Sequence, residues 1–320
     1  MDKAVRCFVV INPRSGTGLD HEDFPAKVRE WFAAADVDAV YPSAAATDIA
    51  AQLQEARDSG IGLVAVAGGD GTIMAGAEAF AGTDTVLAVI PAGTMNVLAH
   101  ELEVPLAIPD AIRLISEGEV RAIDVGEVNG HIFIGSSILG APSRLARRRE
   151  RFRGKSTGRS YARLLRAGIR ALVRYPAVGV TIHAGHEHKP VRTRALAVVV
   201  NDYAEGFGKV LTRSSLDGGK LVLYALKPIT PWHLIRLLVA MVMGRWRHDR
   251  YLQRLTVETV KITAHRKRIR LMNDGETLLV SPPLDYRIRP KALRVLGPRS
   301  VETDVPTANE EPTLEATASR

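Results

Sequence analysis

The chain has almost no cysteine. Cys7 is its single thiol, so no disulfide can close within it, and a reducing cytosol is the compartment this suits. Cys7 lies in the apolar run Cys7-Phe8-Val9-Val10-Ile11 and reads as a buried strand residue rather than a reactive thiol. Long apolar runs are missing too. The N-terminal run is too short for a signal-peptide core and meets Asn12-Pro13 at once. The best candidate span, Leu234 to Met243, is about half the length that a membrane crossing needs, and it contains Arg236. No transmembrane helix is expected. No Gly-x-x-x-x-Gly-Lys-Ser/Thr segment occurs, and no Gly-x-Gly-x-x-Gly follows a strand, which excludes a P-loop and a dinucleotide fingerprint. Helix-turn-helix, zinc and RNA-binding motifs are absent, so nucleic acid is not expected as a partner. There is no internal repeat.

What remains is a chain of 320 residues, 46% hydrophobic and 24% charged, the balance of a soluble globular protein with room for two domains. Its formal charge is 43 − 35 = +8. A basic balance suits nucleic acid, an anionic membrane surface or a phosphorylated substrate.

The first third alternates short apolar runs with helical patterns. Strands are expected at Phe8–Ile11, Val37–Val40, Leu63–Ala67 and Val86–Ile90. Helices are expected at Phe24–Ala35, Asp48–Arg57, from the glycine cluster through Phe80, and at Asn96–Leu102 and Asp110–Ser116. This alternation predicts an α/β domain with a parallel sheet. From about Ile123 strand-like runs dominate: Ile132–Ile134, Val178–His183, Ala195–Val200, Lys220–Tyr224, Thr256–Thr263, Arg268–Met272, Leu278–Val280, Tyr286–Ile288 and Leu293–Leu296. They predict an all-β second domain with helical insertions at about Ser143–Tyr175 and Pro231–Tyr251. The domains are expected at residues 1–123 and 124–298, followed by a disordered polar tail at residues 299–320.

Three glycine-containing turns follow three of the apolar strands: Asn12-Pro13-Arg14-Ser15-Gly16, Gly68-Gly69-Asp70-Gly71-Thr72 and Pro91-Ala92-Gly93-Thr94-Met95-Asn96. In a parallel sheet such loops line one crevice. Backbone amides hold a phosphate only where no Cβ obstructs them, and a helix N-terminus favours the anion. Thr72 and Thr94 add hydroxyl donors. Asp70 repels a phosphate and suits Mg²⁺ or a ribose hydroxyl beside it. Glycine required only for tight strand-to-helix turns is the alternative at each position.

The order and spacing of these three segments resemble the diacylglycerol kinase catalytic family, which includes bacterial lipid kinases and the sphingosine and ceramide kinases. The resemblance runs from about Val5 to Pro298 and includes the final Ile288–Leu296 segment. It implies an ATP–Mg²⁺ site in the α/β domain, at Asn12, Pro13, Arg14, Ser15, Gly16, Gly68, Gly69, Asp70, Gly71, Thr72, Gly93, Thr94 and Asn96. It also implies a C-terminal β-sandwich that contributes the lipid site and the proton acceptor. The family's acidic turn corresponds to Asn273-Asp274-Gly275-Glu276, with Glu276 as the base and Asp274 as a supporting or alternative carboxylate. Two departures stand out. Met74 and Ala75 replace a usual Asn and Glu, and Gly218 occupies the position of a structural metal ligand, leaving the adjacent Asp217 as the candidate, alongside Asp70.

The first insertion carries twelve cations between Arg144 and Arg174 against Glu150 alone. Arg159, Arg163, Arg166, Arg170 and Arg174 recur at helical spacing. The second, Trp232 to Arg250, is apolar with Arg245, Arg247 and Arg250 at its end. Both suit peripheral contact with an anionic membrane, at about 1 kcal/mol per basic residue near the surface. A solvated charged face and a core helix are the alternatives. The expected activity is transfer of a phosphoryl group from ATP to a lipid hydroxyl, most readily diacylglycerol or a related lipid. An NAD kinase-like enzyme and a catalytically impaired lipid- or nucleotide-binding protein remain alternatives, and a homodimer is compatible with the chain.

Overall fold

The computed structural model describes residues 5–15, 24–140, 176–185, 187–206, 212–247 and 249–299. Gly16, the Arg144–Arg174 segment and the tail expected to be disordered lie outside the described residues, apart from Arg299. The first half contains strands β1 (Arg6–Ile11), β2 (Asp38–Val40), β3 (Leu63–Gly68) and β4 (Val86–Pro91). Its helices are α1 (Phe24–Ala34), α2 (Ile49–Asp58), α3 (Asp70–Phe80), α4 (Val97–Glu101) and α5 (Ile108–Glu117). The strands lie side by side in the order β2-β1-β3-β4, all parallel. Beyond its first residue, each of β1, β3 and β4 is buried throughout. Helices cover both faces, which is why these strands read as unbroken apolar runs. Local chemistry sets the helix starts. Asp48 accepts a hydrogen bond from Ala51 N at 2.8 Å, an N-cap, and Pro109 stands in the first turn of α5.

The second half is built of β5 (Glu119–Val128), β6 (His131–Phe133), β7 (Ser136–Gly140), β8 (Val178–Ala184), β9 (Glu187–Thr193), β10 (Ala195–Val200) and β11 (Leu221–Leu226). Helix α6 (Pro231–Val242) follows, and then β12 (Leu252–Val257), β13 (Thr259–Ala264), β14 (Ile269–Asn273), β15 (Glu276–Val280) and β16 (Leu284–Gly297). Six of these strands form an antiparallel sheet in the order β12-β11-β10-β7-β14-β15. The others extend the parallel sheet through β16 to β13, β8 and β9, with β5 and β6 alongside. Leu139, Leu196, Val198, Leu223 and Leu271 from the first sheet pack on Val180, Ile182, Val260, Ile262 and Leu284 from the second. The architecture is therefore an α/β domain with a mostly parallel sheet, followed by a β-sandwich.

Three expectations change. The boundary after Ile123 falls inside β5, and the last strand returns to the first domain, so the two halves share a sheet. Tyr286–Ile288 and Leu293–Leu296 are parts of one 14-residue strand. Pro290 and Lys291, at φ 50°, mark a shift of register against β5 between Arg289 and Leu293, a bulge that disguises continuity. Conversely, Thr256–Thr263 is divided near Glu258 between β12 and β13, which belong to different sheets.

Asp124 secures that bulge. It is fully buried and accepts from Lys291 N at 2.8 Å, Gly219 N at 2.6 Å and Asn201 Nδ2 at 3.1 Å. Replacing it by alanine removes the acceptor of one buried and two partly buried donors. Asp124→Ala is expected to lose at least about 2 kcal/mol of stability and to lower the thermal midpoint by about 5 °C or more, as read by thermal denaturation.

Candidate functional site

The parallel pairing brings the three turns into one row. Asn12 N donates to Ala67 O, and Ala92 N to Gly68 O, both at 2.9 Å. The loops after β1, β3 and β4 thus begin at the same level of the sheet. The chain leaves β1 towards β2 on one side and returns to β3 on the other, so β1 and β3 flank a switch point, where parallel sheets form their ligand crevice.

Side chains then lock the row. Asn12 Nδ2 donates to Thr72 Oγ1 at 2.7 Å, and Asn12 Oδ1 accepts from Arg14 N at 3.0 Å. Ser15 Oγ donates to Asn12 O at 2.9 Å. Asn96, at φ 46°, accepts from Gly93 N at 2.9 Å and donates to Gly93 O at 3.0 Å. Asp70 heads α3, and its carboxylate caps a different helix: Oδ1 accepts from Val97 N at 2.7 Å and Oδ2 from Asn96 N at 3.2 Å. Pro13, Arg14, Gly71 and Thr94 are exposed at this edge, while Thr72 and Ser15 are buried.

Close approach explains the glycines here. A methyl group on Gly93 would stand 2.7 Å from Gly69 Cα, and one on Gly68 would stand 2.5 Å from Thr72 Cβ. Two turns therefore touch backbone to backbone, leaving a shallow cradle at the N-terminus of α3. Backbone amides and a helix start are the donors a phosphate requires.

The second domain reaches the same place. Asp274 and Gly275, at φ 44° and 93°, form the tight turn of the β14–β15 hairpin. Glu276 follows, and its Oε1 lies where a methyl on Gly71 would be only 2.6 Å away. A carboxylate from the β-sandwich therefore sits against the glycine turn of the α/β domain. Asp274 is held differently. Its carboxylate accepts from Ile134 N at 2.6 Å, Gly135 N at 2.9 Å and Ser136 N at 2.7 Å. Burial pushes its pKa up, against the pull of those three amides and of Arg213. With its oxygens committed to the turn between β6 and β7, Asp274 anchors the hairpin.

Glu101, Arg213 and Tyr203 join this region without any motif to announce them. Arg213 donates from Nε to Glu101 Oε1 at 2.8 Å, from Nη2 to Glu101 Oε2, and from Nη1 to Ile134 O at 2.8 Å. Tyr203, beside them, has its hydroxyl pushed up to about 12 by burial and by the charges of Glu101 and Asp274. Asn273, opposite Glu276 in the hairpin, is buried, and its side-chain amide has no hydrogen-bond partner among the described residues.

Asp217 is the second residue expected as a metal ligand. It is exposed, and its Oδ1 accepts from Ser215 Oγ at 2.6 Å. Among the described residues no group of three His, Cys, Asp or Glu side chains is placed to hold a metal ion. Gly218 has a packing reason, since a methyl there would lie 2.8 Å from Asn201 Oδ1. Met74 and Ala75 pack against the core of the first domain. Asp70 stands at the head of α3 with its carboxylate on the amides of Asn96 and Val97; Mg²⁺ is commonly bound by one or two carboxylates plus substrate phosphates.

Known proteins align along the whole of this arrangement. The model of the diacylglycerol kinase catalytic domain matches residues 6–128. The model of the YegS C-terminal NAD kinase beta sandwich-like domain matches residues 136–297. The diacylglycerol kinase of Bacillus subtilis (strain 168) is 26% identical over 277 residues, covering 85% of this chain and 89% of that protein. A Pseudomonas fluorescens protein named probable lipid kinase YegS-like is 30% identical over 246 residues, covering 76% of this chain and 80% of its own. A crystal structure of a diacylglycerol kinase from Bacillus anthracis (strain Sterne) shares the fold, with a TM-score of 0.64 at 18% identity over 92% of this chain and 97% of that one.

Two substitutions separate packing from positioning at the cradle. Gly93→Ala drives a methyl into backbone and is expected to cost about 1–3 kcal/mol. Gly71→Ala meets only the tip of Glu276 and is expected to leave the thermal midpoint within about 2 °C. A crystal structure of that variant should show the Glu276 carboxylate displaced.

Proposed function

The chain belongs to the diacylglycerol kinase catalytic family with a YegS-type C-terminal domain, and from this premise we propose that it transfers the γ-phosphoryl group of ATP to the hydroxyl of a membrane lipid, diacylglycerol or a close relative. The observation that carries the proposal is the meeting of Glu276 with Gly71 at the head of α3. A phosphate-binding turn and a carboxylate from another domain face each other with no intervening side chain.

Each group has one task. The amides of Gly69, Asp70 and Gly71, with the Thr72 and Thr94 hydroxyls, hold the phosphates. Asn12 and Asn96 keep the turns in register. Glu276 accepts the proton of the lipid hydroxyl as that oxygen forms its bond to the γ-phosphorus. The bond from phosphorus to the β–γ bridging oxygen breaks, and its electron pair leaves with ADP. A placed carboxylate contributes typically about 10²–10⁴-fold to such a step, and positioning with charge stabilisation supplies most of the rest. Asp70 is the residue that would hold a magnesium ion brought with the nucleotide, and such an ion would neutralise charge developing on the phosphates.

The lipid surface is the second part of the proposal. One face of α6 packs Leu234 and Leu237 into a core with Tyr224 and Trp246. The other exposes Trp232 (72%), Ile235, Val239, Val242 and Met243 (55%). Arg245 is exposed just beyond, and Arg236 is tied to Asp249 at 2.7 Å. No helix among the described residues is long and apolar enough to cross a membrane. An apolar ridge with basic residues at its end suits a helix lying in an anionic lipid interface. This ridge favours a lipid acceptor over NAD, whose phosphorylation needs no such face.

Incubation with labelled ATP and mixed lipid vesicles, with the product identified by mass spectrometry, is expected to yield a phosphorylated lipid. Glu276→Gln should retain nucleotide affinity and lose turnover by about 10²-fold or more. Phosphorylation of NAD in place of lipid would reject the reading. Val239→Glu should weaken sedimentation with phosphatidylglycerol vesicles and leave turnover of a short-chain, monomeric diacylglycerol unchanged. Undiminished vesicle binding by this variant would remove α6 from the lipid contact.

A further inference from the structure

The two halves of the site are joined at a second place. Starting from Asp70, its carboxylate holds the first amides of α4, those of Asn96 and Val97. Four residues after Val97 the same short helix ends at Glu101. Glu101 receives two hydrogen bonds from Arg213 of the other domain. The third arm of Arg213 takes the carbonyl of Ile134. The amides of Ile134, Gly135 and Ser136 hold Asp274. Asp274 and Gly275 turn the chain into Glu276, whose carboxylate lies on Gly71, the residue after Asp70. The contacts close into a ring that starts and ends at the head of α3.

We infer that the Glu101–Arg213 pair is the positioning element of this ring: it sets the Asp274–Glu276 hairpin against the nucleotide turn, and so places the base relative to the phosphoryl group. The pair is built for that task. The guanidinium side chain is 2% exposed and the carboxylate 14%. Its fork is bidentate, which fixes orientation as well as distance. Arg213 turns its remaining nitrogen, Nη1, to the carbonyl of Ile134, in the backbone that holds Asp274, so the same planar group indexes both domains. Lysine cannot reproduce three directed bonds from one plane. Neither Glu101 nor Arg213 approaches the cradle through a contact of its own in the described residues, so both act through the groups they hold.

The activity readout rests on the lipid-kinase reading, whereas a second readout does not. Glu101→Gln and Arg213→Lys are compared with the parent chain for ATP affinity, kcat on vesicle lipid, and hydrogen exchange of peptides covering residues 134–136 and 273–277. The ring predicts ATP affinity within about threefold of the parent and kcat lowered by about 100-fold, the scale of a misplacement near 1 Å. It also predicts faster exchange in both peptides at once, because the amides released from Asp274 lose their acceptor. Unchanged kcat with unchanged exchange would overturn the inference. So would ATP affinity falling in step with kcat, which would confine the pair's role to the α4 side of the site. If the parent shows no lipid turnover, the proposed activity fails, and exchange still decides the ring: faster exchange in the two peptides supports it, and unchanged exchange rejects it. Arg213→Lys keeps the charge, so the test does not rely on burying an unpaired carboxylate.

Discussion

The arrangement depends on β16. Its first half pairs with β13 inside the sandwich, its second half pairs with β4 in the parallel sheet, and β5 runs along both. One strand therefore belongs to two domains. The crevice between them is set by a continuous sheet rather than by a flexible linker. Asp124 adds the local restraint at the point where β16 bulges. Interfaces between domains of one chain commonly permit relative motion, but a shared sheet narrows that freedom to adjustments around the bulge. Glu276 can then meet Gly71 reproducibly, although 205 positions separate them by the numbering, 276 − 71.

That meeting also explains the distribution of charge and side-chain volume. Phosphate recognition needs donors without bulk, and two of the three turns abut backbone to backbone at Gly69 and Gly93. A carboxylate brought there must not crowd the anion it serves. Glu276 is carried on the β14–β15 hairpin, and Asp70 and Asp274 give their oxygens to backbone amides of Asn96, Val97 and the Ile134–Ser136 turn. Asp70 and Asp274 thus fix backbone around the cradle, Asp70 at the start of α4 and Asp274 between β6 and β7.

The parallel half was legible because its strands are buried on both faces and its turns are glycine-rich, so composition and position agree. β5 was missed because Glu119, Arg121 and Glu127 interrupt its apolar residues; long pairing with β16 overrides that polarity. β16 itself read as two strands because Pro290 and Lys291 look like a break, while in three dimensions they form a bulge pinned by Asp124. The glycine turns and the Asn273–Glu276 hairpin were recognisable as local motifs. The Glu101–Arg213 pair was not, since its partners are 112 positions apart and Arg213 sits in the polar run Thr212-Arg213-Ser214-Ser215 with no periodicity around it. The engagement of Asp70 with α4 was equally hidden, for a carboxylate at a helix start reveals its charge and not which amides it will bind.

The central claim is that the nucleotide's terminal phosphate lies between the Gly68–Thr72 turn and Glu276. A crystal structure with magnesium and a non-hydrolysable ATP analogue tests it most directly. The account predicts the γ-phosphate on the amides at the head of α3, with Gly93 alongside and the Glu276 carboxylate facing it across space for one hydroxyl oxygen. A nucleotide bound away from that row, or a terminal phosphate turned from Glu276, would contradict it.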